Sequence, residues 1–144
     1  MNEYQNLCNV FARRKRPEHF TDYKHCEECS DHDATLRSKD NDTISFKDVG
    51  NVSYSPISFI SVEGFLYYLP GLARLAGCDG DEYFLDTFLI YFDNPERRDA
   101  LNDLERKVLS DYLIFLKESM SNSIQDNLDE SDLDELIAWL QKES

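Results

Sequence analysis

The sequence predicts an all-α fold, a single compact domain of about six helices with a long irregular connection near residues 38–57. Apolar side chains recur at helical spacing along most of the chain. Residues that favour helix N-caps precede several of these segments. The 144 residues suit one domain around one hydrophobic core, and no shift in composition marks a linker. We therefore expect a single all-α domain over residues 1–144.

Two helices are predicted before the irregular connection. The first shows i, i+3, i+4 spacing of apolar residues between Leu7 and Phe11 and is expected to end near residues 16–17, where Pro follows Arg. Residues 21–22 (Thr-Asp) suit the N-cap of the second helix, which is expected to reach Leu36. That helix would contain three potential ligand side chains: His25, Cys29 and His32.

The middle of the chain combines a polar connection with an apolar helix. Residues 38–57 are rich in Ser, Asn, Asp, Gly and Pro, which predicts an extended connection. A brief strand over residues 43–46 is compatible with its local sequence, although no partner strand is evident. The next helix is predicted from residues 61–62 to Ala76, and we expect Pro70 to kink or restart it.

Three helices are predicted in the second half. Residues 81–92 are apolar on most of the helix circumference, which is typical of a buried central helix. Asn94 and Pro95 suit the N-cap and first residue of a long helix. Its predicted core stripe consists of Leu101, Leu104, Val108, Tyr112 and Phe115. The last helix is predicted from about Ser131, with a stripe of Leu133, Leu136, Ile137 and Leu140.

Acidic residues outnumber basic ones by a wide margin. The chain has 15 Lys and Arg against 29 Asp and Glu, a formal net charge of −14. A nucleic-acid-binding protein is disfavoured because phosphate binding depends on clustered Lys and Arg. Anionic membrane surfaces would repel this chain, and no apolar stretch is long enough to cross a bilayer. We expect neither nucleic acid nor a membrane as a direct partner.

The cysteines and the N-terminal sequence favour a cytoplasmic protein. Residues 1–4 begin no basic segment followed by an apolar run, so no signal peptide is predicted. The four cysteines are then expected to be reduced thiols rather than a disulfide framework. No nucleophile, phosphate-loop or metalloprotease motif is present, so we expect no enzymatic activity and no cofactor. The basic run at residues 13–16 is predicted to be the solvated end of the first helix.

The acidity is concentrated in the second half of the chain. Residues 1–72 contain 8 basic and 11 acidic residues, a net of −3, whereas residues 73–144 contain 7 and 18, a net of −11. One interpretation is a solvated surface with carboxylates at helix N-termini. The other is a surface for a positively charged protein, because complementary potentials accelerate encounter. The second interpretation gives nine candidate partner-binding residues: Asp79, Asp81, Glu82, Asp86, Asp129, Glu130, Asp132, Asp134 and Glu135.

A cysteine–histidine cluster lies at residues 25–33. On a continuous helix His25, Cys29 and His32 would share an arc of about 60°. His25 and His32 would nevertheless be roughly 10 Å apart along the axis, so one zinc ion could not use both. Further ligands would have to come from three residues elsewhere in the chain: Cys8, His19 and Cys78.

We expect the cluster's thiols to be structural, with Cys26 or Cys29 packed inward as a small apolar side chain. A redox role is disfavoured because Glu27 and Glu28 would oppose thiolate formation. No metal ligand is therefore assigned, and zinc binding by Cys26 and Cys29 with His25 or His32 stays an alternative.

Two pairs of sequence blocks resemble a family of small acidic bacterial proteins. The first pair is PEHFTDYKHCEEC at residues 17–29 with HDATL at 32–36, and the second is SPISF at 55–59 with EGFLYYLP at 63–70. The biochemical activity of that family is unassigned, so the resemblance implies no catalytic residues. In size and acidity the chain also resembles the immunity proteins that accompany bacterial toxins, including those of contact-dependent growth inhibition systems. Their toxins are often basic nucleases.

These observations predict an immunity or inhibitor protein. Its acidic surface would bind a basic toxin domain, most readily a nuclease, and cover the cleft that binds phosphates. The inhibitor's carboxylates would then pair with the Lys and Arg side chains that otherwise hold substrate phosphates. The alternative is a zinc-binding structural or regulatory domain built on Cys26, Cys29 and a neighbouring histidine.

Overall fold

Helices account for all the regular secondary structure of residues 2–142, which are the residues described by this computed structural model. The nine α-helices in that range are α1 (Glu3–Phe11), α2 (Glu27–Arg37), α3 (Phe46–Val49), α4 (Val62–Ala76), α5 (Leu85–Phe92), α6 (Pro95–Asp99), α7 (Asp103–Ser119), α8 (Ser121–Asp126) and α9 (Glu130–Gln141). No strand occurs among the described residues. The all-α prediction is confirmed.

One contiguous hydrophobic core joins these helices. Eleven of the fifteen residues of α4 are buried, and this helix packs against α1, α5 and α6. The longest helix, α7, packs against α1, α8 and α9. Every α-helix except α6 contributes side chains to the same cluster of buried apolar residues. The predicted burial of the helix ending at Phe92 is confirmed, since six of the eight residues of α5 are buried, but the helix begins at Leu85 rather than at residue 81, after a 3₁₀ turn at Gly80–Glu82.

The first two helices are shorter than predicted. Helix α1 ends at Phe11 rather than near residues 16–17, and α2 begins at Glu27 with Cys26 as its N-cap. Thr21 is no N-cap because its hydroxyl donates to the carbonyl of Cys29 at 2.6 Å and is buried. Residues 12–26 therefore form a connection, which leaves His25 outside α2.

The basic run at residues 13–16 is not simply a solvated helix end, so that prediction is wrong for two of its members. Arg14 binds the buried carboxylate of Glu105 through Nε and Nη2, at 2.7 and 2.6 Å. Arg16 donates to the carbonyls of Arg37 and Lys39 at 2.9 and 2.8 Å. Both arginines tie the connection after α1 to other helices.

Arginine side chains recur as partners of backbone carbonyls. The last carbonyls of a helix have no partner within it, and a nearby guanidinium can supply one. Arg106 does so for α9, donating to the carbonyls of Trp139 and Lys142 at 2.8 Å each. Six of the eight arginines in the sequence donate to backbone carbonyls: Arg14, Arg16, Arg74, Arg97, Arg98 and Arg106.

The connection at residues 38–57 is irregular, as predicted, although it contains α3 and two 3₁₀ turns at Val52–Tyr54 and Pro56–Ser58. The possible strand at residues 43–46 does not form. Instead, the carboxylate of Asp40 accepts the backbone N–H groups of Asp42 and Thr43, both at 2.9 Å, and bends the chain into a turn.

Helix α4 continues through Pro70 because the side chain of Asn41, from this connection, binds the backbone groups that the proline leaves unpaired. Pro70 has no N–H and disturbs the hydrogen-bond ladder around it. Asn41 donates from Nδ2 to the carbonyl of Tyr67 at 2.9 Å and accepts the N–H of Gly71 at 2.8 Å. A Cβ at Gly71 would lie 2.6 Å from Ile44 Cγ2, so only glycine permits this close approach. The expected restart at Pro70 is therefore absent.

The predicted long helix after Asn94 is two helices. Asn94 and Pro95 begin α6 as expected, but that helix ends at Asp99, and Asn102 starts α7 with a capping box that includes Glu105. The buried face of α7 also differs from the predicted stripe, because it includes Leu109, Leu113 and Leu116. Leu101, Val108 and Tyr112 of the predicted stripe are buried, whereas Leu104 and Phe115 are 44% and 43% exposed. The last helix is confirmed, with its whole predicted stripe buried.

Candidate functional site

An acidic groove brings together carboxylates from two acidic segments of the sequence, residues 79–86 and residues 126–135. It lies between α5 and α9, has a volume of about 320 Å³, and contains five carboxylates and one guanidinium. Its lining residues are Asp86, Leu89, Ile90, Asp93, Arg98, Asp129, Asp132, Glu135 and Leu136. Four of the nine predicted partner-binding residues therefore share one concave surface: Asp86, Asp129, Asp132 and Glu135. Asp93 was missed because it lies between the two acidic segments in the sequence.

Asp129 forms the inner end of this groove. Its side chain is 8% exposed, and Oδ2 accepts a hydrogen bond from the Tyr83 hydroxyl at 2.6 Å. Burial raises the pKa of Asp129, and the neighbouring carboxylates of Asp86 and Asp132 raise it further, against the Tyr83 hydrogen bond. Burial and the Asp129 carboxylate likewise raise the pKa of Tyr83. The carboxylates of the groove are thus close enough to repel one another.

One arginine partly offsets this charge. Arg98 binds Glu135 through both terminal nitrogens, at 3.0 and 3.1 Å, and its Nε donates to the carbonyl of Phe92 at 2.7 Å. Its guanidinium carbon lies 5.5 Å from the centre of a ring of Trp139. Glu135 is 61% exposed at its side chain and remains accessible from outside. Four carboxylates of the groove are left without a cationic partner among the described residues.

The other predicted partner-binding residues lie outside the groove lining. Asp79 accepts a hydrogen bond from Ser123 at 2.6 Å, and Asp134 forms an ion pair with Lys117 at 2.5 Å. Three carboxylates are exposed without an ion pair among the described residues: Asp81, Glu82 and Glu130.

Two exposed apolar side chains accompany the acidic groove. Ile90, in the groove lining, is 56% exposed, and Leu128, next to Asp129 in the chain, is 85% exposed. Leu128 has a φ of +60°, a left-handed conformation that costs a non-glycine residue about 1–2 kcal/mol. It occupies the position after the end of α8 where glycine is most common, in a Schellman motif: the Leu128 and Asp129 N–H groups bind the carbonyls of Gln125 and Ile124.

A larger cavity of about 480 Å³ lies between α7 and the end of α9. Its charged lining residues are mixed in sign: Asp103, Arg106, Lys107, Asp111 and Lys142. Lys107 and Asp111 pair with each other at 3.2 Å. This cavity therefore lacks the large excess of negative charge that distinguishes the acidic groove.

The cysteine–histidine cluster is rearranged relative to the sequence prediction. One potential ligand atom from each of His25, Cys26 and Cys29 lies within 4.8 Å of the others. The N-cap position of Cys26 places its Sγ as acceptor of the Cys29 N–H at 3.3 Å. That hydrogen bond, together with the interactions of the thiol with the Cys29 and His25 side chains, lowers the pKa of Cys26 to about 7. Its interaction with Cys26, together with burial, raises the pKa of Cys29 to about 11. The helix N-terminus thus outweighs the expected opposition of Glu27 and Glu28.

The remaining cysteines and histidines of the described chain are held elsewhere. His32 is 2% exposed and contacts the rings of Tyr54 and Phe59 at centroid distances of 4.5 and 5.2 Å. His19 binds Asp33 at 2.7 Å. Cys78 bonds to the carbonyl of Arg74, and Cys8 lies beside Tyr4. None of these joins the His25, Cys26 and Cys29 group.

Comparisons with protein-family models, with curated proteins and with solved structures found no match to this chain. The resemblances noted in the sequence therefore stay predictions. In the described part of the chain, no helix combines the length and the apolar character that a bilayer crossing requires.

Proposed function

We propose that this protein is an inhibitor, in the manner of an immunity protein, that neutralises a basic toxin domain. The acidic groove is the binding surface, and the partner is a cationic protein domain, most readily a nuclease with a phosphate-binding cleft. The protein performs no catalytic step in this proposal. It acts by occupying the partner's cleft.

One observation carries the proposal: carboxylates from two segments more than forty residues apart converge on one groove. Carboxylates that serve only solubility are expected to lie apart on the surface, because like charges repel. Here burial and mutual repulsion raise the pKa of Asp129, so the arrangement opposes its own stability. A cationic partner would relieve that repulsion.

The groove also offers apolar contact in addition to charge. Ile90 exposes a large side chain in the groove lining, and Leu128 exposes one next to Asp129 in the chain, while the lining residues Leu89 and Leu136 are buried. Interfaces of this kind combine apolar contacts with charged pairs that fix orientation. A Lys or Arg side chain of the partner would enter between Asp86 and Asp132, while Arg98 keeps Glu135 in place.

Charge reversal in the groove tests the proposal. The probe is the C-terminal domain of the polypeptide encoded next to this chain, provided that this domain is basic, and binding is measured by titration calorimetry. We expect the double variant Asp86→Lys, Asp132→Lys to weaken binding by at least about 100-fold, because each close charge pair contributes about 1.5 kcal/mol or more. Binding of the unaltered protein is expected to weaken as salt is added, because salt screens the charge pairs.

The matched control is the double variant Asp31→Lys, Glu118→Lys. Both residues are exposed and lie on α2 and α7, outside the groove, and the change in net charge is the same. Equal losses of affinity in the two double variants would show that only total charge matters and would contradict a specific groove. Salt-independent binding, or no binding, would contradict the electrostatic mechanism itself.

The zinc alternative involves none of the groove residues. Its three potential ligands lie at the start of α2 and in the connection before it, and the two proposals stand or fall separately.

A further inference from the structure

The start of α2 presents three soft metal-binding atoms on one small surface. Cys29 Sγ lies 3.2 Å from Cys26 Sγ and 3.8 Å from His25 Nδ1. Two of the three residues, His25 and Cys26, are exposed, while Cys29 is 5% exposed and forms the inner side of the group. The group is therefore open to solvent on one side only.

These distances are close to those of a tetrahedral metal site. Zinc–sulfur bonds of about 2.3 Å and zinc–nitrogen bonds of about 2.0 Å place two thiolates about 3.8 Å apart and a thiolate and an imidazole about 3.5 Å apart. The distance of 3.8 Å between Cys29 Sγ and His25 Nδ1 is within about 0.3 Å of that value. The two sulfurs would have to separate by about half an ångström, which a small rotation of the exposed Cys26 side chain supplies.

The surrounding backbone holds these groups in place. The carboxylate of Asp33 accepts the N–H groups of Phe20 and Thr21 at 2.6 and 3.3 Å, and Thr21 donates to the carbonyl of Cys29. These bonds fix the connection before α2 against the helix. A turn closed by the His25 N–H and the Asp22 carbonyl, at 2.9 Å, then brings the imidazole to the helix N-terminus.

We propose that His25, Cys26 and Cys29 bind one zinc ion through three protein ligands and leave its fourth coordination position open to a ligand from outside the chain. The other cysteines and histidines of the described residues have separate partners, so the site is incomplete as a closed structural centre. Two thiolates and an imidazole favour zinc over calcium or magnesium, which prefer oxygen.

The open position distinguishes this site from the structural zinc domain that the sequence suggested. The hydrophobic core runs through all the long helices without the cluster, so the fold does not depend on a metal at this position. A site with three protein ligands is instead able to accept water, a small thiol or a side chain of a partner as the fourth ligand.

Cobalt substitution tests this proposal on the full chain. The protein is reduced with a phosphine, so that no added thiol competes, and titrated with Co²⁺ and then with Zn²⁺. We expect about one metal ion per chain, a thiolate-to-cobalt charge-transfer band, and ligand-field bands of tetrahedral intensity. Added imidazole is expected to shift these bands because it enters the fourth position.

Ligand variants identify the site. Cys26→Ser is expected to lower zinc affinity by about 100-fold or more, since even the partners of metal ligands contribute 10- to 100-fold. His25→Ala is expected to lower it by about tenfold or more. Cys8→Ser and Cys78→Ser are the matched controls and should leave affinity unchanged. Circular dichroism of each metal-free variant checks that it folds.

Several results would overturn the proposal. These are the absence of metal uptake by the reduced protein, the absence of a thiolate band, or equal losses of affinity in the control cysteine variants. A cobalt spectrum that does not shift when imidazole is added would show that the protein supplies the fourth ligand. An Asp22→Asn variant that binds zinc as weakly as His25→Ala would show the same, and either result would overturn the open position.

Discussion

At the scale of single residues, buried polar groups decide where the connections lie. Asp33 is 3% exposed and accepts hydrogen bonds from His19 and from the N–H groups of Phe20 and Thr21. Burial alone would raise its pKa, but these hydrogen bonds together lower it. One carboxylate therefore anchors the connection that carries two of the three proposed zinc ligands, His25 and Cys26.

The lowered pKa of Asp33 makes its contribution pH-dependent. The unfolded chain takes up this proton more readily than the folded protein does, so ionised Asp33 stabilises the fold above about pH 4. That stabilisation is lost as the pH falls through the lower pKa of the folded state. We expect Asp33→Asn to reduce the free energy of unfolding by about 2 kcal/mol at pH 7. Asn keeps one oxygen for the Phe20 and Thr21 N–H groups, but it loses the charge and replaces the oxygen that binds His19 with an NH₂ group.

Urea unfolding at pH 7 and at pH 3 measures this effect. The difference between Asp33→Asn and the unaltered protein should narrow at pH 3, where the native carboxylate begins to be protonated as well. Asp31→Asn, on the same helix but exposed, removes the same charge and serves as the control. A loss that is equal at both pH values would show that charge plays no part.

At the scale of the helices, termini were harder to predict than interiors. Apolar spacing predicted the interiors of α4, α5 and α9 because it depends only on which face is buried. The start of α2 was missed because cysteine is an uncommon N-cap, and the split between α6 and α7 was missed because Asn102 was overlooked as a cap. The burial of the Glu105 side chain could not be predicted locally, because its carboxylate pairs with Arg14, 91 residues away in the sequence.

The end of α8 offers a direct test of backbone strain. Leu128 is left-handed and 85% exposed at the position after the helix, so its side chain contributes little packing. Leu128→Gly is expected to raise the free energy of unfolding by about 1 kcal/mol, because glycine adopts this conformation without a Cβ clash. Chemical denaturation measures the change.

Leu128→Ala is the control, since alanine removes the exposed apolar surface and retains the strained Cβ. Equal gains for glycine and alanine would show that strain is not the cause. If Leu128 contacts the proposed partner, the glycine variant should also bind that partner more weakly while being the more stable protein.

At the scale of the whole molecule, the sequence predicted the acidic surplus but not its arrangement. The two acidic segments were identified from composition alone. Their meeting in one groove depends on how α5 packs against α9, a tertiary contact that no local pattern encodes. The burial of Asp129 beside Tyr83 could not be predicted from the sequence either. Burying a carboxylate raises the free-energy cost of its charge, so an Asp residue is expected at the surface.

Repulsion within the groove should make the stability of the whole protein depend on salt. We expect added sodium chloride to raise the thermal midpoint, and the double variant Asp86→Asn, Asp132→Asn to be more stable than the unaltered protein by about 0.5 kcal/mol at low salt. Its advantage should vanish at high salt. Asp31→Asn with Glu118→Gln removes the same charge elsewhere, and an equal gain there would locate the repulsion outside the groove.

The arginines that bind backbone carbonyls give the two kinds of basic residue different roles. Most lysines are exposed, so replacing them changes the electrostatic potential around the molecule and few contacts within it. An arginine such as Arg97, 7% exposed and bonded to the carbonyls of Tyr91 and Ile57, holds separate parts of the chain together. Substitution of a lysine should therefore be tolerated in this chain, whereas substitution of one of these arginines should destabilise the fold, although both changes remove the same charge.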